Sequence, residues 1–270
     1  MTGPLISLIT TCKGRLEHLR QGLALMAAQA PVAEVVLVDY DCPDGAGAWA
    51  RAALPAVTVV EAKDRPRFSA AAARNLGAAA ARAPWLLFLD ADILVNGSLA
   101  QEIADRLAAG RFLLPDPRPP PLWGAVVVSA RDFARVGGYD EAFQGWGAED
   151  DDLLDRLLRA GLTSGAFPAD GLAAITHDDA LRTAFHAERD LRLNALVNSF
   201  YRSVKRDLAR LGVELGAENR LTLYDDVRHS VTRAAGGETA LLQVGFRRGW
   251  TGMGATLASL GYEIRPPAPP

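Results

Sequence analysis

The chain has 270 residues, of which 49% are hydrophobic and 23% are charged, and its formal net charge is −3. This composition is typical of globular proteins and excludes an intrinsically disordered chain. The near-neutral charge provides no electrostatic basis for broad nucleic-acid binding, so we expect no nucleic-acid partner. The length suits one large domain, or one domain with an extension.

The predicted elements begin with alternating short apolar runs and helical patterns, which favour a mostly parallel sheet built from βαβ units. In chain order, strands are predicted at residues 5–10, 34–38, 57–61, 85–89, 123–129 and 173–176, and helices at 16–26, 69–82, 98–109 and 149–160. Ser69 is a candidate N-cap. Five prolines between Pro115 and Pro121 predict a loop, because proline lacks the N–H that a sheet or helix requires. From about residue 179 to 212 the pattern is helical, so we predict an α/β protein with a helical C-terminal extension.

The two cysteines, Cys12 and Cys42, are too few to stabilise a chain of this length through disulfides, and we interpret them as small thiols of a reducing compartment. No apolar run approaches the ~18–20 residues that a membrane span needs. The first residues lack the basic and apolar regions of a signal peptide. We therefore expect a cytoplasmic protein.

Asp90-Ala91-Asp92 comes directly after a fully apolar predicted strand. Ligands of open α/β sheets bind at the carboxyl ends of the strands, and two carboxylates there need a positive partner. A hard divalent cation that holds a diphosphate is one such partner. The alternative is a loop in which aspartate caps the following helix, and the tripeptide alone leaves both interpretations open.

A run of acids, Glu149-Asp-Asp-Asp152, opens the helix predicted at 149–160. Acids at a helix N-terminus suit the helix dipole, which is the structural explanation. Glu149 and Asp150, however, lie one turn before Leu153 and Leu154 of the buried stripe, whereas Asp152 is expected on the outer face. An inward carboxylate at a cleft is a candidate general base.

His177 follows the strand predicted at 173–176. A single histidine after a strand is either a structural residue or, paired with Asp90-Ala91-Asp92, a second metal ligand. An imidazole together with carboxylates and phosphate oxygens suits Mn²⁺ or Mg²⁺, and Mn²⁺ tolerates nitrogen better.

Several motifs occur in an order that is similar to a known enzyme family. They are Thr10-Thr-Cys-Lys-Gly-Arg15, Val38-Asp39, Ala73-Arg-Asn-Leu-Gly77, Phe88-Leu-Asp-Ala-Asp92, Trp123-Gly-Ala-Val-Val-Val-Ser129, Val136-Gly-Gly-Tyr-Asp-Glu-Ala-Phe143 and Gly145-Trp-Gly-Ala-Glu-Asp-Asp-Asp-Leu153. The chain resembles family 2 glycosyltransferases of the GT-A fold, and its Trp-Gly-x-Glu-Asp motif resembles that of β-1,4-galactosyltransferases. It departs from the galactosyltransferase pattern at Ala174, where that pattern has Met, and this leaves the donor sugar open.

The resemblance implies a Rossmann-like nucleotide-sugar-binding domain at residues 1–178, with a nucleotide-binding half at about 1–95 and an acceptor-binding half at about 96–178, followed by a mainly helical extension at 179–270. It implies nucleotide contacts by Thr10, Arg15, Asp39, Arg74, Asp90 and Ala91. Asp39 would contact the uracil edge and Asp90 would approach the ribose. The implied metal ligands, for Mn²⁺ or Mg²⁺, are Asp92 and His177. Asp150 would be the catalytic base, assisted by Glu149, and the implied acceptor-binding residues are Trp123, Trp146, Gly147 and Glu149.

The resemblance thus implies an inverting, metal-dependent glycosyltransferase that uses a nucleotide-sugar donor, with UDP favoured, and a carbohydrate or lipid-linked acceptor. One alternative is a sugar nucleotidyltransferase, although the chain has no Gly-rich, Lys-bearing loop near its N-terminus. Another is an inactive carbohydrate-binding protein of the same fold, since fold does not fix function. A basic amphipathic pattern at residues 200–211 would suit peripheral contact with a membrane, but packing on the catalytic domain is the favoured interpretation.

Overall fold

The computed structural model describes residues 3–250 and 254–266. The chain divides into two compact units. Unit 1 contains the residues up to Glu141 together with Glu149–Ala187, and unit 2 contains Ala142–Ala148 together with the residues from Glu188 onward. The domain boundaries predicted near residues 95 and 178 are based on sequence motifs, and they stay a prediction.

Unit 1 begins with an alternation of strands and helices. Its elements are β1 (Ile6–Cys12), α1 (Leu16–Ala27), β2 (Ala33–Tyr40), α2 (Ala46–Ala53), β3 (Thr58–Ala62), α3 (Ala70–Ala80) and β4 (Trp85–Phe88). β1 pairs in parallel with β2 and β4, and β2 pairs in parallel with β3. Every residue of β1 is buried, as expected for a central strand with helices on both faces.

The second part of unit 1 completes the sheet. Its elements are β5 (Ile93–Val95), α4 (Leu99–Ala104), β6 (Arg111–Asp116), a 3₁₀ turn (Pro120–Leu122), β7 (Val126–Ser129), α5 (Ala130–Arg135), α6 (Glu149–Arg159), β8 (Thr163–Pro168), β9 (Leu172–Ala174) and α7 (Asp179–Thr183). The seven-stranded sheet has the order β3-β2-β1-β4-β7-β6-β8, and only the pairs of β7 with β4 and β6 are antiparallel. The prediction of a mixed, mostly parallel sheet is therefore confirmed.

Local sequence explains how two of the helices begin. Ser69 precedes α3, and its side chain accepts a hydrogen bond from the Ala72 N–H, so the predicted N-cap is confirmed. α6 has acids throughout its first turn and Arg156 and Arg159 in its last turn, which suits the helix dipole at both ends.

The predicted proline loop is wrong in its first part, because Pro115 lies in β6 and pairs with Phe167 of β8. The only register pair of β6 with β7 is Leu113 with Val127, so no partner on that side requires an N–H from Pro115. The helix predicted at 98–109 is also shorter than expected, since α4 ends at Ala104.

Unit 2 consists of helices α8 (Leu191–Arg210) and α9 (Ala217–Ala235) and the antiparallel pair β10 (Ala240–Trp250) and β11 (Gly254–Ile264). Its core includes Val204 and Leu208 of α8, Val227 of α9 and Phe143 from the returning segment 142–148. The helices agree with the predicted helical extension, whereas the pair β10–β11 was not predicted.

Candidate functional site

The carboxyl ends of β1, β2 and β4 lie side by side at one edge of the sheet. Asp39 lies near the end of β2, and Asp90 and Asp92 follow β4 directly. The parallel register therefore gathers acids from separate parts of the chain at the edge where open α/β sheets bind ligands.

Arg74 of α3 is buried at the centre of this edge and contacts three carboxylates. One of its terminal nitrogens lies 2.8 Å from Asp90 Oδ1, and the other lies 3.1 Å from Glu149 Oε1 and 3.0 Å from Asp150 Oδ1. Burial by itself would lower the pKa of Arg74, but the charges of Asp150, Asp90 and Glu149 outweigh it and raise the pKa well above its usual value. The guanidinium thus joins the acids after β4 to the acids that open α6.

Asp150 is held from two sides. Its Oδ1 also accepts a hydrogen bond of 3.2 Å from the hydroxyl of Tyr139, whose ring lies under the Arg74 guanidinium at 5.1 Å. Burial raises the pKa of Asp150 to about 8, although the Arg74 charge acts in the opposite direction. A carboxylate with a pKa near neutrality is suited to accept a proton at physiological pH.

Gly124 allows the chain after Trp123 to pass close to this cluster. A Cβ at Gly124 would lie 2.7 Å from Arg74 Nη2 and 3.0 Å from Asp90 Oδ2, so no larger residue fits without a shift. Trp123, the residue before Gly124, has 48% of its surface exposed. An exposed indole at such a cleft can pack against the apolar face of a sugar.

Asp92 and His177 are brought together by a separate two-stranded sheet. β5, which starts at Ile93, pairs antiparallel with β9 in the register Ile93 with Ala174. The Ile175 N–H then donates to the Asp92 backbone oxygen at 2.8 Å, and His177 Nε2 lies 2.7 Å from Asp92 Oδ2. Two residues that are 85 positions apart in sequence thus meet at the edge of the sheet.

The donor set of Asp92 and His177 fits a divalent cation. His177 Nδ1 lies 3.0 Å from the Asp178 carbonyl, which only accepts, so Nδ1 donates there and Nε2 is the ring nitrogen that faces Asp92. A nitrogen and a carboxylate oxygen this close together are ligand types that suit Mn²⁺ or Mg²⁺. Among the described residues, no group of three or more His, Cys, Asp and Glu side chains could hold a metal ion, so further ligands would come from a diphosphate and water.

Arg15 and His18 surround this pair. Arg15 Nη1 lies 3.9 Å from Asp92 Oδ2 and 3.4 Å from His18 Nδ1, and the His18 ring stacks on His177 with 5.7 Å between centroids. Burial, and then the Arg15 charge, lower the pKa of His18 and so favour its neutral form. Arg15 therefore supplies the positive charge at this end of the edge.

The other predicted nucleotide contacts differ in accessibility. Asp39 is buried, and its two carboxylate oxygens accept the backbone N–H groups of Cys42 and Gly47, each at 2.7 Å. These bonds fix the orientation of the carboxylate, and each oxygen keeps a second lone pair. Thr10 is fully buried within β1 and Ala91 is 5% exposed, so neither side chain opens toward the edge.

Lys13 is a residue of this edge to which no role is assigned from sequence. Its ammonium donates to the backbone carbonyls of Tyr40, Asp41 and Arg65 at 3.2, 2.7 and 2.7 Å. The Phe185 ring lies 5.2 Å from the Lys13 Nζ, and the segment after α7 therefore crosses the end of β1. In the sequence, Lys13 stands out only as a basic residue shortly after the strand predicted at residues 5–10.

Trp146 and Gly147, the other predicted acceptor residues, lie in unit 2. The side-chain amide of Asn198 donates to the Gln144 and Trp146 carbonyls at 3.0 and 3.1 Å, and the Tyr224 hydroxyl donates to Asn198 Oδ1 at 2.8 Å. Gly145 has φ +72°, and a Cβ there would lie 2.2 Å from the Asn194 side chain. The segment before Glu149 is therefore fixed by buried amides, and glycine is required at its closest approach.

The expected outer-face position of Asp152 is wrong. Asp152 is 3% exposed, and its Oδ2 accepts a 2.8 Å hydrogen bond from Arg156 Nε. The Arg156 guanidinium also donates to the Val136 carbonyl at 2.7 Å, so the pair is covered by the chain that precedes Tyr139. The periodicity of the apolar residues predicted the apolar stripe of α6, but it does not predict whether a charged residue beside that stripe, such as Asp152, is buried.

Two family models match the chain. The model described as "Glycosyl transferase family 2" matches residues 7–118, and the model described as "N-terminal domain of galactosyltransferase" matches residues 120–178. These ranges contain Arg74, Asp90 and Asp92 in the first match and Glu149, Asp150 and His177 in the second.

Solved structures show the same fold. A mannosyltransferase from Pyrobaculum calidifontis, PcManGT, in complex with GDP-Man and Mn²⁺, is 14% identical with a TM-score of 0.56, and the match covers 87% of this chain and 76% of that one. A fragment of S. aureus TarS in complex with UDP-GlcNAc is 14% identical with a TM-score of 0.61, and the match covers 83% of this chain and 72% of that one. These two neighbours bind different nucleotides, so the fold alone does not determine the base.

No helix within residues 3–250 and 254–266 has the length and apolar character that crossing a bilayer requires. Residues 7–118 are therefore similar to family 2 glycosyl transferases, and the chain shares the GT-A fold of the solved glycosyltransferases.

Proposed function

We propose that the chain is an inverting, metal-dependent glycosyltransferase that transfers a sugar from a UDP-sugar to a hydroxyl of a carbohydrate or lipid-linked acceptor. The observation that carries the proposal is the position of Arg74, which joins Asp90 on the donor side to Asp150 within 3.0 Å. A single displacement requires that the residue near the sugar donor and the residue that accepts the proton lie in one cluster.

In this mechanism Asp150 takes the proton of the acceptor hydroxyl while its oxygen attacks the anomeric carbon. The bond between that carbon and the diphosphate oxygen breaks, and its electron pair leaves with UDP. Arg74 keeps the carboxylate oriented, and Tyr139 donates to the same oxygen. Asp92 and His177 would hold the divalent cation, which supplies charge stabilisation for the departing diphosphate.

The preference for uridine rests on Asp39. Its oxygens are oriented by backbone N–H groups and retain lone pairs for the uracil N3–H, whereas adenine offers an acceptor at the equivalent edge. The exposure of Trp123, and its position directly before Gly124, support its proposed role in acceptor binding. Trp146 and Gly147 keep the same proposed role because they directly precede the helix that carries Glu149 and Asp150.

A donor screen tests the proposal without knowledge of the acceptor. The protein is incubated with UDP-, GDP- and ADP-linked sugars in the presence of Mn²⁺, and release of nucleoside diphosphate by slow hydrolysis is measured. We expect release from a UDP-sugar that stops when a chelator is added. Failure to release UDP from any UDP-sugar would contradict the proposed donor class, and release that is unchanged by the chelator would contradict the metal requirement. The sugar nucleotidyltransferase alternative is not favoured, since both matched family models describe glycosyltransferases.

A further inference from the structure

The two cysteines lie side by side at the edge of the sheet. Cys12 is the last residue of β1 and Cys42 follows the end of β2, and their sulfur atoms are 3.8 Å apart. Cys12 is fully buried, whereas Cys42 is partly exposed. A reagent from solution therefore reaches Cys42 first, and Cys12 is placed to react next.

The surroundings of Cys42 stabilise a thiolate. Its sulfur accepts the Gly14 N–H at 3.2 Å and also the backbone N–H groups of Asp44 and Ala46, at the start of α2. The hydrogen bond with Cys12, followed by these backbone bonds, outweighs burial and lowers the pKa of Cys42 to about 6. The same hydrogen bond, together with burial, raises the pKa of Cys12. One sulfur is thus prepared as a nucleophile and the other holds the proton.

We propose that Cys42 is a modification site for low-molecular-weight disulfides and that Cys12 resolves the adduct into a Cys12–Cys42 disulfide. In the first step the Cys42 thiolate attacks one sulfur of the reagent, forming a mixed disulfide and releasing one thiolate. Cys12 then gives its proton to the released thiolate and attacks the Cys42 sulfur, and the second half of the reagent leaves as a thiolate that takes from water the proton Cys42 had lost. In sum, the two cysteines lose two electrons and two protons, and one reagent disulfide becomes two thiols.

The consequence for nucleotide binding rests on the proposed function. The Cys42 N–H donates to Asp39 Oδ1 at 2.7 Å, and Gly14, which donates to the Cys42 sulfur, directly precedes Arg15. A disulfide removes the thiolate that accepts the Gly14 N–H and draws the Cys42 sulfur toward β1. We expect these changes beside Asp39 and Arg15 to weaken the binding of UDP by the oxidised protein about tenfold, which is the effect of one hydrogen bond.

The chemistry is tested on the full chain with oxidised glutathione as the probe, followed by tryptic mapping. The wild-type protein should yield a disulfide that links the peptide ending at Lys13 to the peptide Gln21–Arg51. Cys12→Ser should stop at one glutathionyl group on Cys42, and Cys42→Ser should stay unmodified. If Cys12 remains free in native wild-type protein after treatment with oxidised glutathione, the proposal is overturned. This measurement uses only the wild-type protein, so it does not depend on whether a variant folds. Modification of Cys12 in Cys42→Ser at the wild-type rate would equally overturn the proposal.

UDP titration by calorimetry in the presence of Mn²⁺, on reduced and oxidised protein, tests the consequence separately. A tenfold loss on oxidation, restored by reductant, supports the link to the nucleotide site. Equal affinity of the two forms overturns that link. Reduced protein that fails to bind UDP refutes the proposed function, while the peptide map still decides the disulfide chemistry.

Discussion

Replacement of Asp150 by asparagine tests the proposed chemistry most directly. Asparagine has nearly the same shape and keeps an oxygen for the hydrogen bonds from Arg74 and Tyr139, which are 3.0 and 3.2 Å long, but it accepts no proton. A general base contributes about 10²–10⁴-fold, or about 3–5 kcal/mol of transition-state stabilisation, so kcat should fall by that factor while donor affinity changes little. Steady-state kinetics with the donor found by the screen measures the effect.

The expected effect on stability has the opposite sign. Burial raises the pKa of Asp150 from 3.8 to about 8, so its ionisation disfavours the folded state increasingly as the pH rises between these values. Asp150→Asn removes this cost and should unfold at the same or a higher temperature at pH 8. Wild-type kcat/KM should rise with pH up to about 8, and the variant should lose this dependence.

Asp151→Asn is the matched control, because Asp151 is exposed in the same first turn of α6. It removes one acid from the helix start, as Asp150→Asn does, and should leave kcat near normal. Equal losses in both variants, or a lower melting temperature of Asp150→Asn that parallels its loss of activity, would refute the role of Asp150 as base.

Three further predictions follow from contacts of the same unit. Asp92→Ala should abolish the Mn²⁺ dependence of UDP binding in calorimetry, and an unchanged response to a chelator would contradict the metal site. Gly124→Ala places a Cβ 2.7 Å from Arg74 Nη2 and should lower kcat at least tenfold with a normal melting temperature, whereas normal kinetics would show that the cluster tolerates displacement. Glu34 accepts hydrogen bonds from Ser7 Oγ at 2.6 Å and from the Arg82 N–H, and although burial acts to raise its pKa, these bonds lower it overall. Glu34→Gln should therefore lower the free energy of unfolding by about 1–3 kcal/mol near neutral pH. The difference between variant and wild type should become smaller at acidic pH, where the wild-type carboxylate is protonated. Thermal unfolding at several pH values checks both expectations.

The fold was largely predictable because its signals are local. The apolar run of β1, the serine that caps α3 and the acids that open α6 each act within a few residues. The pair β10–β11 was not predicted, since its strands contain glycines and polar residues and its long antiparallel pairing depends on contacts between segments. Pro115 was misassigned because its position in β6 depends on where the neighbouring ladder ends.

For the candidate site, sequence supplied the residues but not their partners. Arg74 was predicted near the nucleotide, yet its contacts are carboxylates from residues 90, 149 and 150, which no spacing in the chain reveals. His18 stacks on His177, and Lys13 donates to the carbonyls of residues 40, 41 and 65. Both residues therefore acquire their environments from distant parts of the chain. The lowered pKa of Cys42 likewise arises from the hydrogen bond with Cys12 and from backbone N–H groups in two different parts of the chain.

The return of Ala142–Ala148 into unit 2 has a consequence for truncation of the chain. A protein cut after Ala187 would keep all the strands of the large sheet and both candidate metal ligands, but it would lose Asn198 and Tyr224. The segment that carries Trp146 would then lack the buried amide that binds its carbonyls. Because α6 begins at the next residue after this segment, the helix bearing Asp150 would follow an unsupported loop. The segment that precedes the helix of the proposed base therefore depends on residues beyond Ala187, and trimming near residue 178 would remove them.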